Sequence, residues 1–133
     1  MRLKNVVSFQ KDLLFDGAVQ VSWLEENPVL ARKAAEHFVF HGPSYHGVSR
    51  DDFASSNHEL VDTASFIYKV LSHFADNGSG DPFMLAVAGY GTGKSHLAVT
   101  LSSLLSEPKS RTAEVVIDNL IRADNQIGHD VAA

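Results

Sequence analysis

The chain of 133 residues contains no cysteine, only four prolines and no long apolar run. Without cysteine it can form no disulfide and offers no thiolate ligand to a metal ion. No apolar stretch approaches the roughly 18–20 residues of a membrane-spanning helix, and residues 1–12 lack the apolar core of a secretory signal. These absences make a cytoplasmic protein without membrane contact the expected class.

The charge of the chain is acidic, with 11 basic residues against 16 acidic residues and a formal net charge of −5. The basic residues are scattered rather than clustered, so the chain lacks the positive field that attracts nucleic acid. We therefore expect no direct nucleic-acid binding by this segment. Hydrophobic residues make up 44% of the chain, which excludes disorder and predicts a folded domain.

The first part of the sequence predicts a small α+β region over residues 1–80. Segments 5–9 and 18–24 are rich in β-formers and predict strands. An Asn-Pro pair then predicts a helix over 28–40, and apolar residues at three-and-four spacing predict a second helix over 57–76.

The second part, residues 81–133, predicts the beginning of a nucleotide-binding core. Six consecutive apolar residues at 83–88 are typical of a strand buried on both faces of a parallel sheet. A glycine loop follows at 89–93, and a helix is predicted over 94–106. The segment 113–127 fits helical spacing, although Val-Val-Ile at 115–117 before Asp118 also permits a strand, and we favour the helix.

Residues 88–95 carry the chemistry, because Ala-Gly-Tyr-Gly-Thr-Gly-Lys-Ser matches the P-loop pattern with alanine in its first position. Glycines let successive backbone N–H groups turn toward a phosphate, and the following helix directs its positive end at the same anion. The candidate nucleotide-binding residues are Gly89, Tyr90, Gly91, Thr92, Gly93, Lys94, Ser95 and His96.

Within this motif, two side chains have distinct predicted roles. Lys94 is the candidate catalytic residue, because its charge would reach the β- and γ-phosphates. The Ser95 hydroxyl is a hard oxygen ligand and is the candidate ligand for Mg²⁺. The side chain of Tyr90 is expected to pack outside the phosphate cradle. ATP and Mg²⁺ are the predicted cofactors.

The run Gly-Thr-Gly-Lys-Ser-His-Leu at 91–97 resembles P-loop ATPases of the AAA+ type. The resemblance implies an α/β P-loop NTPase fold, a parallel sheet with flanking helices, and an ATPase that couples hydrolysis to a conformational or DNA-linked process. More loosely, segments 38–47 and 88–97 resemble the start of very large bacterial ATP-binding proteins, some of them associated with anti-phage or restriction-type defence.

Several other residues are candidates for a functional role. His37, His41 and His46 lie within ten residues, but they have no recognised metal-ligand spacing and are expected to be ordinary loop and helix-end histidines. His41, Tyr45 and His46 could alternatively contact an adenine base, although packing between helices is the favoured interpretation. Asp118 comes too soon after Lys94 for the acidic residue that activates water, and Trp23 is expected to pack in a core or an interface.

Two further functions remain open beside the ATPase. The same loop could serve a P-loop kinase for a small molecule or nucleoside, or a nucleotide-gated interaction module that does not hydrolyse its ligand. ATP is favoured over GTP because no guanine-recognition motif follows in the sequence.

The motif lies late in the chain, which leaves few residues for the rest of a nucleotide-binding core. Only 38 residues follow Ser95, whereas several βα units would need roughly 100. We therefore expect an incomplete P-loop core that binds nucleotide weakly and does not hydrolyse it alone. The apolar segment 83–88 would then need the rest of a larger polypeptide or a second copy to cover it.

Overall fold

The computed structural model describes residues 15, 17–43, 61–75, 91 and 93–133. Six helices form within these ranges: α1 (Trp23–Glu26), α2 (Pro28–Glu36), α3 (Thr63–Ala75), α4 (Lys94–Ser106), α5 (Arg111–Ala123) and α6 (Asn125–Ala132). Among these helices, none combines the length and the apolar character that crossing a lipid bilayer requires.

The predicted α/β fold with a parallel sheet is wrong, because every regular element in the described ranges is a helix. The strand expected at 18–24 is replaced by turns and by α1, whose backbone starts with the Trp23 N–H bonded to the Gln20 carbonyl at 3.1 Å. Val19 and Leu24 pack from this non-strand backbone against the helices, so the burial that a sheet would have provided comes from helix packing. The strands predicted at 5–9 and 83–88 lie outside the described residues.

Local capping signals set most helix beginnings. Asn27 caps α2, accepting a hydrogen bond from the Leu30 N–H at 3.2 Å, and Pro28 occupies the first helical position as predicted. The Asp62 carboxylate accepts the Ser65 N–H at 2.8 Å at the start of α3. Helix α2 ends at Glu36, earlier than the predicted residue 40, because the chain leaves the helix at His37.

The last segment is helical, as we favoured, but it forms two helices instead of one. Asp124 separates them, with an extended backbone and a carboxylate that accepts the Ile127 N–H at 3.0 Å. The Asp124 N–H bonds in turn to the Leu120 carbonyl at 2.9 Å. One residue therefore ends α5 and caps α6.

Two hydrophobic clusters hold the helices together. The larger joins α2 and the residues after it to α3, α4 and α5; its buried members are Ala35, Phe38, Phe40, Ala64, Ile67, Leu104, Ala113, Val116 and Leu120. The smaller cluster packs Ala31 and Ala34 of α2 against Val99 of α4, and Phe15, Val19, Trp23 and Leu24 surround it. Trp23 is thus a packing residue, as expected. Both clusters draw on residues from each side of the boundary predicted near residue 80, and the boundary itself stays a prediction.

Candidate phosphate-binding site

Two glycines before α4 have a backbone conformation that only glycine adopts readily. Gly91 and Gly93 have φ angles of 76° and 82°, in the left-handed region that side chains disfavour. A Cβ added at either position would meet no other atom within 4 Å. The glycines are therefore required by backbone conformation and not by crowding, and the space beside them is open.

Helix α4 begins at this loop without a side-chain cap. Gly93 occupies the N-cap position, and its carbonyl accepts the Leu97 N–H at 2.9 Å. The preceding N–H groups of the first turn have no acceptor within the helix, and the first turn contains no acidic residue. Helices α2, α5 and α6, in contrast, begin at capping side chains. The start of α4 therefore directs backbone N–H groups and the positive end of the helix dipole toward the loop, without a capping side chain at Gly93.

A cavity of about 380 Å³ lies beside the loop. Its lining combines the loop and helix start with a wall from the segment before α1; the lining residues are Ala18, Val19, Gly91, Gly93, Lys94, Ser95 and His96. Lys94 and Ser95 are exposed. The structure thus brings the predicted phosphate-binding and magnesium-binding side chains to one open cavity with glycine backbone at its edge.

His96 lines the same cavity but also makes specific contacts with α2. Its Nε2 donates a hydrogen bond to the Ala34 carbonyl at 2.6 Å, and since a carbonyl oxygen only accepts, the proton must be on Nε2. The ring stands at 90° to the Phe38 ring, with centroids 4.9 Å apart. Phe15 contacts His96 from another side, with centroids 6.4 Å apart and rings at 81°.

Of the other residues predicted to contact nucleotide, some lie outside the described residues and His41 lies within them. Gly89, Tyr90 and Thr92 of the loop, and Tyr45 and His46 of the adenine hypothesis, lie outside the described residues. The His41 backbone joins the start of α3: its N–H donates to Thr63 Oγ1 at 2.8 Å, and its carbonyl accepts the Ala64 N–H at 3.1 Å. His41 is not among the described residues that line the loop cavity.

Asp118 and the histidines form no further site in the described part of the chain. Asp118 is exposed on α5 and does not line the loop cavity. His37 uses its Nδ1 to donate to the Lys33 carbonyl at 2.7 Å, an interaction at the end of its own helix. Within the described ranges, no three histidine or carboxylate side chains come together in a way that could hold a metal ion.

Sequence reasoning missed Ala18 and Val19, which form the apolar wall of the cavity. It also missed the connection between His96 and Ala34, which are 62 residues apart. No local signal could have shown either feature, because both depend on contacts between segments that are distant in sequence.

Comparison with known proteins finds no matching family model, no matching curated protein and no matching solved structure. The motif and the geometry around it are therefore the observations that bear on function.

Proposed function

We propose that the loop before α4 binds the phosphates of ATP together with Mg²⁺, and that the chain is the nucleotide-binding part of an ATPase. One observation carries the proposal: the P-loop sequence lies at an uncapped helix start, with Gly91 and Gly93 at positive φ and an open cavity alongside. Anions bind favourably at such a helix start because free N–H groups and the helix dipole act together. We place the protein in the cytoplasm, which the absence of cysteine favours.

Each part of the site has a role that fits the ligand. The backbone N–H groups of residues 91–95 would hold a phosphate, and the Lys94 ammonium would neutralise its charge. The Ser95 hydroxyl would provide one oxygen ligand to Mg²⁺, and the bound ion would offset charge on the phosphate oxygens. None of the described residues that line the cavity carries an acidic side chain, and Lys94 brings a positive charge to it.

Calorimetry with Mg²⁺-ATP tests the phosphate site through Lys94→Ala. We expect the substitution to weaken binding about ten- to a hundredfold, the range for losing a hydrogen bond to a charged group. Lys109→Ala is the matched control, because Lys109 is exposed in the turn between α4 and α5, away from the cavity. Equal affinities for the wild-type chain and the Lys94 variant would contradict the proposal.

The magnesium role of Ser95 has its own test. Ser95→Ala should weaken the binding of Mg²⁺-ATP and leave the binding of ATP in excess chelator unchanged. Ser106→Ala removes an exposed hydroxyl at the other end of α4, one that bonds to the Ser102 carbonyl at 2.7 Å, and should change neither affinity. A Ser95 variant that loses affinity equally with and without Mg²⁺ would contradict the metal role.

Turnover is measured separately from binding. We expect the 133-residue chain to release no more phosphate from ATP than its Lys94→Ala variant does, because ATP hydrolysis also requires a residue that positions the attacking water. Release above that level would show that the chain is an ATPase by itself.

A further inference from the structure

We infer that His96 is a positioning residue that fixes the phosphate loop and the first turn of α4 against the end of α2. The inference rests on the proposed function, because it assigns a second residue to the same site. The Nε2–H of His96 donates to the Ala34 carbonyl, and this bond joins the third residue of one helix to the last turn of another.

The acceptor is a carbonyl that its own helix leaves partly unused. Ala34 lies in the last turn of α2, where no amide four residues ahead bonds to it, because the Phe38 N–H bonds instead to the Ala35 carbonyl at 3.2 Å. The Ala34 carbonyl accepts the His37 N–H at 3.2 Å and the His96 ring at 2.6 Å. Its two acceptor positions are thus filled, and His96 provides the shorter of the two bonds.

The ring of His96 is held on its sides as well as at its tip. Phe38 is 7% exposed and packs edge-on against it, and Phe15 approaches from another direction. Thr100 is fully buried, and its hydroxyl donates a 2.8 Å hydrogen bond to the His96 carbonyl. Both the side chain and the backbone of His96 therefore have fixed partners.

The contact between α2 and α4 around His96 is close-packed. Ala31 and Ala34 present small side chains to Val99, so the two helices approach closely through a cluster that is almost fully buried. His96 adds to this packing a directional hydrogen bond from the first turn of α4 to α2. The direction of the N–H groups at residues 93–95 depends on this turn, and an anion binds more tightly when those groups are oriented in advance.

Two amide substitutions separate the hydrogen bond from the ring. In His96→Gln the amide nitrogen replaces Nε2 and can still donate to Ala34, whereas in His96→Asn it replaces Nδ1 and is too short to reach. We expect His96→Asn to bind Mg²⁺-ATP about three- to tenfold more weakly than His96→Gln, as measured by calorimetry at a temperature well below both melting transitions. Equal affinities of the two variants would overturn the inference, even if His96→Asn melts at a lower temperature.

Hydrogen exchange on the wild-type chain gives a second measurement that does not depend on how the variants fold. Binding of Mg²⁺-ATP at the loop should slow exchange at the amides of residues 37 and 38, which close the end of α2. Unchanged exchange at these amides in the ATP-bound chain would overturn the positioning role.

The two proposals fail in different ways. Absence of ATP binding by the wild-type chain would contradict the proposed function, and the role of His96 would fall with it. Binding that Lys94→Ala loses but His96→Asn retains in full would support the proposed function and overturn only the role of His96.

Discussion

Gly128 of α6 lies directly against Ile121 of α5, so closely that the glycine is required for the two helices to pack. A Cβ at residue 128 would lie 2.5 Å from the Ile121 Cα and 2.6 Å from its backbone nitrogen. These are backbone atoms, which cannot move aside by changing a rotamer. Because Gly128 sits one turn after Asp124, this contact and the Asp124 cap together set the angle between the last two helices.

Gly128→Ala should therefore destabilise the protein. Alanine is better than glycine in a helix by about 1 kcal/mol, but overpacking against backbone atoms costs roughly 1–3 kcal/mol and more where nothing can give way. We expect a net loss in the free energy of unfolding, measured by chemical denaturation. Gln126→Ala, at an exposed position of the same helix, should change it by less than about 0.5 kcal/mol. A Gly128→Ala variant as stable as the wild type would show that α5 and α6 separate easily.

Thr112 and Glu36 connect α5 to the end of α2 through a partly buried hydrogen bond. The Thr112 hydroxyl donates to Glu36 Oε1 at 2.7 Å, and Thr112 is 4% exposed. Thr112→Val keeps the volume and removes the donor, so we expect a loss of about 1–3 kcal/mol in the free energy of unfolding. Thr112→Ser keeps the hydroxyl and removes a methyl group, which should cost only about 1 kcal/mol. The test is which of the two variants has the higher free energy of unfolding. A valine variant more stable than the serine variant would contradict the importance of this bond.

The break at Asp124 depends on its side chain. Asp124→Ala removes the cap on the Ile127 N–H and should lower the free energy of unfolding by about 1 kcal/mol, whereas Asp124→Asn can still accept that bond and should lose less. Asp118→Ala removes an exposed carboxylate from α5 and serves as the control for charge. Urea unfolding followed by circular dichroism measures the free energy of unfolding of all three variants. Equal stability of the alanine and asparagine variants would mean that the Asp124 side chain does not act as a cap.

Sequence reasoning found the helices whose signals are local. Helix α4 has the predicted bounds, 94–106, because a glycine precedes it and a Glu-Pro pair follows it. The start of α2 was predicted from Asn27 and Pro28 for the same reason. The strand at 18–24 was wrong because the β-branched valines there indicate only a partly buried surface, which helices α2 and α4 provide as well as a sheet would.

For the site, the sequence predicted the residue types and the structure added their surroundings. The positive φ angles at Gly91 and Gly93 follow directly from the glycine pattern. The bond from His96 to Ala34 could not be predicted, because it depends on the packing of two helices that are distant in sequence. The Asp124 break could have been recognised, since aspartate is a preferred N-cap and Asp-Asn interrupts the run of apolar residues.

Gly93 is needed for its backbone conformation, whereas Gly128 is needed because a side chain there would have no room. The two positions should therefore tolerate different substitutions. At Gly93 a side chain has room but the backbone has a φ of 82°, so Gly93→Ala should cost about 1–2 kcal/mol of strain. Asparagine tolerates this conformation better than alanine, so Gly93→Asn should retain more stability and more affinity for Mg²⁺-ATP than Gly93→Ala. Denaturant unfolding and calorimetry on the three proteins measure both quantities. An alanine variant that equals the wild type in stability and in ATP affinity would mean that the loop does not need its left-handed residue to hold a phosphate.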